Sequence, residues 1–341
     1  MSTVSKNPLI VDIAEGRGSA DALRMLVNRQ LPLTDEEYLE GLALAIWKKT
    51  LAERADVAFK KIPKFVREAY VQKKDANHQV VKVILADALV NADVNVINHI
   101  IHNSRLPADF LSRIGEKAPA ASLEVLVDNQ IRLIAYPEIL DSIERNPQAG
   151  GFVRGKIKEI RDFYLNPEAA TPIPEQEVIE ELTDLVASQE GAGDADPGEI
   201  KQKTLTTLQR INRMTVPERI KLALIGTQTE RMVLIRDYNK IVNLAVLESP
   251  KITDDEVLAL SKNKSLSSDI IGRIASDREW TKNYQIVLSL MQNPKVPVSK
   301  ALGFLKKLYE RDLRLLAMDR NINPVIRTLA FNLLKEKQKL Q

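Results

Sequence analysis

Apolar residues recur every three or four positions along most of this 341-residue chain, which is the spacing of one face of an α-helix. Strand-like alternation of apolar and polar residues is nowhere sustained. The pattern therefore predicts an all-α protein. The apolar positions that we expect in the core of the first helices are Leu23, Leu26, Leu39, Leu42, Ile46, Leu51, Phe59 and Phe65. The last predicted helices carry Leu302, Leu305, Leu315 and Leu316.

Five predicted helix starts have a Ser or Thr that is followed three residues later by Glu. In such a capping box the hydroxyl accepts from a first-turn amide, and the carboxylate accepts from the backbone of the cap residue. The pairs are Thr34 with Glu37, Thr215 with Glu218, Thr227 with Glu230, Thr253 with Glu256, and Ser276 with Glu279. Residues 33–39 and 252–258 are near copies, which indicates a supersecondary unit that occurs in both halves.

A short turn, Asp-x-Asn before an apolar helix, occurs three times and begins at Asp75, Asp237 and Asp319. A related turn begins at Asp277, 40 residues after the second copy and 42 before the third. Asp and Asn side chains hydrogen-bond the local backbone and the first amides of a following helix, so they separate helices. A helical period of about 40 residues is typical of HEAT- and armadillo-type solenoids.

The third copy of the turn carries the closest family resemblance. Residues 325–330, Val-Ile-Arg-Thr-Leu-Ala, resemble the Val-Arg-x-x-Ala core of the second helix of a HEAT repeat, with one residue inserted. The first copy has Lys82 where that family usually has Arg, and the second has Asn243. The arrangement is also similar to that of bacterial HEAT-like proteins of uncharacterised activity. The resemblance implies a HEAT- or armadillo-like α-solenoid and no particular activity.

The composition of residues 166–198 predicts a linker. Prolines at 167, 172 and 174 exclude a regular helix there, residues 175–187 read as a short acidic amphipathic helix, and residues 188–198 are rich in Gly. We therefore predict a solenoid in two segments, an N-terminal helical-repeat domain at 1–165 and a C-terminal HEAT-like domain at 199–341, joined by an acidic linker.

Charge is distributed unevenly around this linker. Residues 166–200 contain ten acidic and no basic residues, whereas residues 201–341 contain 26 basic and 14 acidic residues, although the whole chain has a net charge of only +3. A basic segment next to an acidic connector indicates an interaction surface for an acidic partner. The chain has no cysteine and no run of 18 apolar residues, and its first 14 residues do not resemble a secretory signal. We expect a cytoplasmic protein with no membrane partner.

Two motifs that suggest catalysis lack the context that their chemistry needs. Residues 150–156 have the Gly and Lys spacing of a phosphate-binding loop, but Ile157 stands where a Ser or Thr would bind magnesium, and a helix is predicted before the loop. His99 and His102 share a helix face, but a zinc site needs further ligands, and only His78 or carboxylates remain. We predict an interhelical turn and a helix end, and we expect no metal, no cofactor and no enzymatic activity.

One aromatic and charged segment has two interpretations. Arg278, Trp280 and Tyr284 lie close together in the chain, and these residue types dominate the energetics of protein interfaces. The alternative is that Trp280 covers a repeat core while Arg278 pairs with a neighbouring acid, because large aromatic side chains are usually mostly buried.

A second candidate is a basic cluster near the end of the chain. Lys307, Arg311 and Arg314 are spaced to share one helical face, with Glu310 and Asp312 among them. Local ion pairs would explain such a cluster, but they would not neutralise the basic excess of the whole segment. The sequence favours a non-enzymatic scaffold that holds another protein, with nucleic-acid binding through phosphate contacts as the alternative.

The two halves are predicted to fold independently, because few packing contacts should cross residues 166–198. Limited proteolysis should cut within this segment and leave two helical fragments. The measurement is circular dichroism of the isolated fragments, and loss of the helical signal after the cut would contradict the prediction.

Overall fold

The computed structural model describes residues 7–47, 49, 52–165, 173 and 197–339. These residues contain α-helices, one 3₁₀ helix and no β-strand, which confirms the predicted all-α class. None of the helices in these ranges combines the length and the apolar character that a bilayer crossing requires. The chain divides into two compact units, residues 1–166 (unit 1) and 167–341 (unit 2).

Unit 1 is built from twelve helices in its described part. Their bounds are Pro8–Glu15 (α1), Ala20–Val27 (α2), Asp35–Trp47 (α3), Ala52–Lys60 (α4), Lys64–Val71 (α5), His78–Val90 (α6), Val94–His102 (α7), Ala108–Lys117 (α8), Ala120–Val127 (α9), Gln130–Ala135 (α10), Glu138–Glu144 (α11) and Gly151–Tyr164 (α12).

Unit 2 contains ten helices in its described part. They are Pro197–Asn212 (α13), Val216–Ile225 (α14), Gln228–Leu234 (α15), Lys240–Leu247 (α16), Asp254–Lys262 (α17), Ser268–Ser276 (α18), Tyr284–Gln292 (α19), Val298–Leu305 (α20), Glu310–Met318 (α21) and Pro324–Lys339 (α22). A 3₁₀ helix, Trp280–Lys282, lies between α18 and α19.

Helices in both units pack mainly on partners that are close in chain order. In unit 1, α3 packs on α1, α4 and α6, then α5 on α7, α7 on α9, α8 on α11, and α9 on α12. In unit 2, α13 packs on α15, α14 on α16, α17 on α19, and α21 and α20 on α22. Neighbouring backbones approach closely where Gly115 of α8 meets α11, since a Cβ there would lie 3.1 Å from Ile143 Cγ1. Each helix therefore builds its core with the helices one to three positions away.

Asparagine side chains bind the carbonyl groups at the ends of earlier helices. The amide of Asn293 donates to Ser261 O at 3.0 Å and Asn263 O at 2.9 Å, at the C-terminus of α17. Asn146 donates in the same way to Gly115 O and Ala118 O after α8. Asn103 donates to Val71 O and Lys73 O after α5. The last carbonyls of a helix have no partner within that helix, so these amides satisfy groups that burial would otherwise leave unpaired.

Basic side chains do the same at other helix ends. Lys251 Nζ donates to the carbonyl of Ile225, the last residue of α14, at 2.6 Å. Arg219 Nε donates to Ile211 O near the end of α13 at 3.1 Å. A cation is favourable at this position because the C-terminus of a helix carries partial negative charge.

The Asp-x-Asn turns hydrogen-bond as their chemistry predicts. Asn77 Oδ1 accepts from Gln79 N before α6, and Asn239 Oδ1 accepts from Ile241 N before α16. In the third copy Asp319 Oδ1 accepts from the Asn321 amide, but the helix that follows is capped two residues later, by Asn323. The third turn is therefore longer than the first two.

Three of the five predicted capping boxes form in full, at Thr34, Thr215 and Thr227. At Thr253 the hydroxyl accepts from Glu256 N, but the Glu256 carboxylate binds Arg231 instead. The prediction at Ser276 is wrong, because this residue ends α18 and its hydroxyl donates to Gly272 O. Phe65, predicted in the core, is exposed on α5.

Most of the predicted linker, including the acidic segment 175–187, lies outside the described residues. Helix α13 begins at Pro197, two residues before the predicted start of the C-terminal domain. Ile173 is buried, and its backbone N–H and C=O both bind the side chain of Asn212, at the end of α13. This position is therefore held by unit 2.

Replacing Asn293 by Ala should destabilise the protein by about 1–3 kcal/mol, because two helix-end carbonyls and the Lys295 amide lose a buried partner. The measurement is urea denaturation of the full chain followed by circular dichroism. Asn321→Ala, in an exposed turn, is the matched control and should change stability by no more than about 0.5 kcal/mol. Equal effects of the two variants would contradict the bridging role.

Candidate protein-interaction surface

The exposed face of α21 combines cationic and apolar side chains. Arg311, Arg314, Leu315 and Met318 follow one another at i, i+3, i+4 and i+7, so they form one stripe along this helix. Leu315 is 58% exposed and Met318 is 79% exposed. Together with Tyr309, which precedes the helix, we call these residues the α21 surface. The opposite face of α21 holds Asp312, Leu313 and Leu316 in the core.

The start of α21 is fixed by a tyrosine from α19. The Tyr284 hydroxyl donates to Asp312 Oδ2 and accepts from the Tyr309 N–H at 3.2 Å. Burial, together with the hydrogen bond to Asp312, raises the pKa of Tyr284 above its ordinary value, so the hydroxyl stays protonated at neutral pH. Tyr284 therefore provides a hydrogen-bond partner both for the Tyr309 amide at the start of α21 and for the buried Asp312 carboxylate.

The same contact orients Tyr309. The rings of Tyr284 and Tyr309 lie 4.7 Å apart between centroids and are tilted by 40°. Tyr309 nevertheless remains 69% exposed. An aromatic side chain that is held by a neighbour and still open to solvent loses little conformational entropy when a partner covers it.

The arginines of the surface have acidic neighbours. Arg314 pairs with Glu310 one turn earlier, and Arg311 Nε lies 3.7 Å from Asp312 Oδ1. The side chains of both pairs are open to solvent, except for the Asp312 carboxylate. Each ion pair therefore contributes little to stability. The guanidinium groups therefore remain able to exchange their partners for those of another molecule.

The predicted site residues are only partly brought together. Arg311 and Arg314 share the α21 surface, and Tyr284 supports the start of the same helix through Asp312 and Tyr309. Lys307 does not share a helical face with them as predicted, because α20 ends at Leu305 and α21 begins at Glu310, which leaves Lys307 in the turn between them. Its ammonium group lies 5.9 Å from the Phe304 ring centroid.

Trp280 is 7% exposed in the 3₁₀ helix, so its ring belongs to the core and cannot act as an exposed anchor. This burial fits the alternative interpretation of that segment. Arg278 is exposed in the turn before Trp280. We therefore leave Trp280 out of the candidate surface.

The sequence did not identify Tyr309, Leu315 or Met318 as surface residues. Leu315 has the same apolar character as its buried neighbours Leu313 and Leu316, so composition alone does not separate them. The available signal was the spacing of Leu315 and Met318 to Arg311 and Arg314, which becomes visible only when the start of α21 is known.

The two catalytic motifs have the surroundings that the sequence predicts. Residues 150–156 lead from helix α11 into helix α12, so no strand precedes the Gly and Lys residues. His99 and His102 lie at the end of α7, and His102 Nδ1 is 2.7 Å from Asn98 O. Within the described ranges no three His, Asp or Glu side chains are grouped to hold a metal ion.

Comparisons with known proteins find no match among protein-family models, curated proteins or solved structures.

Replacing Tyr284 by Phe should destabilise the protein by about 1.5–3 kcal/mol, because the buried Asp312 carboxylate loses a donor. A double-mutant cycle with Asp312→Asn should give a coupling of about 0.5–3 kcal/mol in urea denaturation. Tyr238→Phe, at an exposed position, is the control and should have little effect. Additive effects of the two substitutions would mean that the contact does not stabilise α21.

Proposed function

We propose that this protein is a non-enzymatic interaction scaffold, a HEAT-like solenoid in two segments that holds another protein on the α21 surface. The helix packing supports the solenoid interpretation, because the main contacts join helices close in chain order. The hydrogen bonds that Asn103, Asn146 and Asn293 donate to earlier helix ends span about 30 residues, which is the length of one helical pair.

The observation that carries this proposal is the composition of the α21 surface. Tyr, Arg and Met are enriched at protein interfaces, and a few such residues supply most of the binding energy. Leu315 and Met318 expose apolar area that a partner would remove from water, and the arginines beside them favour carboxylates. The partner that fits is a protein surface with an apolar centre and acidic residues around it.

Nucleic-acid binding by unit 2 remains the alternative because of its basic excess. Several of those basic side chains have structural roles. Arg219 and Arg231 are buried in ion pairs with Asp237 and Glu256. Lys251 binds the last carbonyl of α14, and Lys295 binds the carbonyl of Leu266 in the loop before α18. Glu310 and Asp312 would also repel phosphate groups at the α21 surface. These observations favour a protein partner.

Photo-cross-linking of the full chain in its native cell tests the proposal. A photoreactive phenylalanine analogue at position 318 should give a discrete adduct with another protein. The same analogue at Val90, an exposed apolar position on α6, is the matched control. The adduct from position 318 should disappear when Leu315→Asp is added, because a carboxylate there removes apolar contact and repels an acidic partner. An adduct that survives Leu315→Asp, or forms equally from position 90, would contradict the proposal.

Titration with labelled DNA and RNA at two salt concentrations tests the alternative. We expect no binding tighter than about micromolar at physiological salt, which is the range of non-specific phosphate contacts. Tighter binding that is lost in the variant Lys307→Glu, Arg311→Glu, Arg314→Glu would favour nucleic acid instead.

A further inference from the structure

Helix α12, the last described helix of unit 1, exposes two phenylalanines on one side. Phe152 is 58% exposed and Phe163 is 76% exposed. They are eleven residues apart, which is close to three helical turns, so they lie on the same side of the helix. Lys156 and Glu159 lie between them on that side, and their charged groups are 3.0 Å apart. We call these four residues the α12 stripe.

The order of residues in the α12 stripe is self-complementary. In an antiparallel pair of identical helices, residues at equal distances from the two-fold axis face each other. With the axis between Ile157 and Lys158, Phe152 of each copy faces Phe163 of the other. Lys156 of each copy then faces Glu159 of the other. One register therefore matches apolar with apolar and cation with anion at all four positions, as an isologous two-fold interface requires.

Both arginines of α12 are occupied by other parts of unit 1. Arg161 binds Asp141 and Glu144, and Arg154 Nε donates to Ala149 O at 3.0 Å. Gly155 borders the stripe and faces open space, since a Cβ built there would meet no atom within 4 Å. Because glycine has no side chain, this position leaves room for a second helix.

We propose that the α12 stripe is a homodimer interface, in which α12 packs antiparallel against α12 of a second copy of this chain. A pair of 14-residue helices buries less area than a standard stable interface. The dimer should therefore be reversible, with a dissociation constant in the micromolar range. This proposal is independent of the partner that the α21 surface binds.

Charge reversal tests the register. In sedimentation equilibrium of the full chain, Lys156→Glu or Glu159→Lys alone should weaken self-association about tenfold, because like charges would face each other twice. An equimolar mixture of these two variants should recover association. One variant carries Glu at positions 156 and 159 and the other carries Lys at both, so opposite charges face each other again in the mixed dimer. If the variants acted only by breaking the Lys156–Glu159 ion pair within each α12, mixing them would not restore association. Lys158→Glu and Asp162→Lys, on the same helix but outside the stripe, are the matched controls and should leave association unchanged.

Cysteine cross-linking tests the direction of the pair. The chain has no native cysteine. The double variant Phe152→Cys, Phe163→Cys should form a covalent dimer on mild oxidation. Phe152→Cys alone should not, because two copies of residue 152 would be about 16 Å apart along the helix axis.

Three results would overturn the proposal. The first is a wild-type chain that stays monomeric up to high micromolar concentration, as expected if another part of the chain covers the stripe. The second is a mixture of the charge variants that fails to associate. The third is efficient cross-linking of Phe152→Cys alone, which would indicate a parallel arrangement.

Discussion

The structure depends on side chains that satisfy the ends of earlier helices. Short helices leave a large share of their carbonyl groups without an internal partner, and a buried unpaired carbonyl is costly. In this protein an asparagine about 30 residues later supplies the missing donors at three helix ends, after α5, α8 and α17. Because each of these hydrogen bonds joins the end of one helix to a residue later in the chain, the short helices depend on one another for stability.

The same requirement explains part of the basic charge of unit 2. Lysine and arginine side chains reach helix-end carbonyls, and Arg219 is fully buried against Asp237 at 2.8 Å. Burying two charges is expensive, so such a pair contributes to stability only when both groups keep good hydrogen bonds. Arg219 meets this condition through the carbonyls of Ile211 and Asn212. A net charge read from sequence therefore overstates how many cations are free to bind another molecule.

Both proposed interfaces occupy helices near the end of a unit. Helix α12 is the last described helix of unit 1, and α21 is the penultimate helix of unit 2. A helix in the middle of a unit packs on helices before and after it, whereas a helix near the end has fewer neighbours, so its outer face is expected to be polar. Phe163 and Met318 are instead large apolar side chains that remain exposed on these faces. Exposed apolar area of this kind is typical of interaction surfaces.

Sequence alone determined the helical class, most capping boxes and the hydrogen bonding of the Asp-x-Asn turns. These features depend on hydrogen bonds and spacings within a few residues, so the local sequence specifies them. Only tertiary structure decided that Trp280 is buried, that Phe65 and Leu315 are exposed, and that Lys307 lies in a turn. The exposure of an apolar side chain depends on which distant helix packs over it, and that choice is made by long-range contacts that local periodicity does not encode.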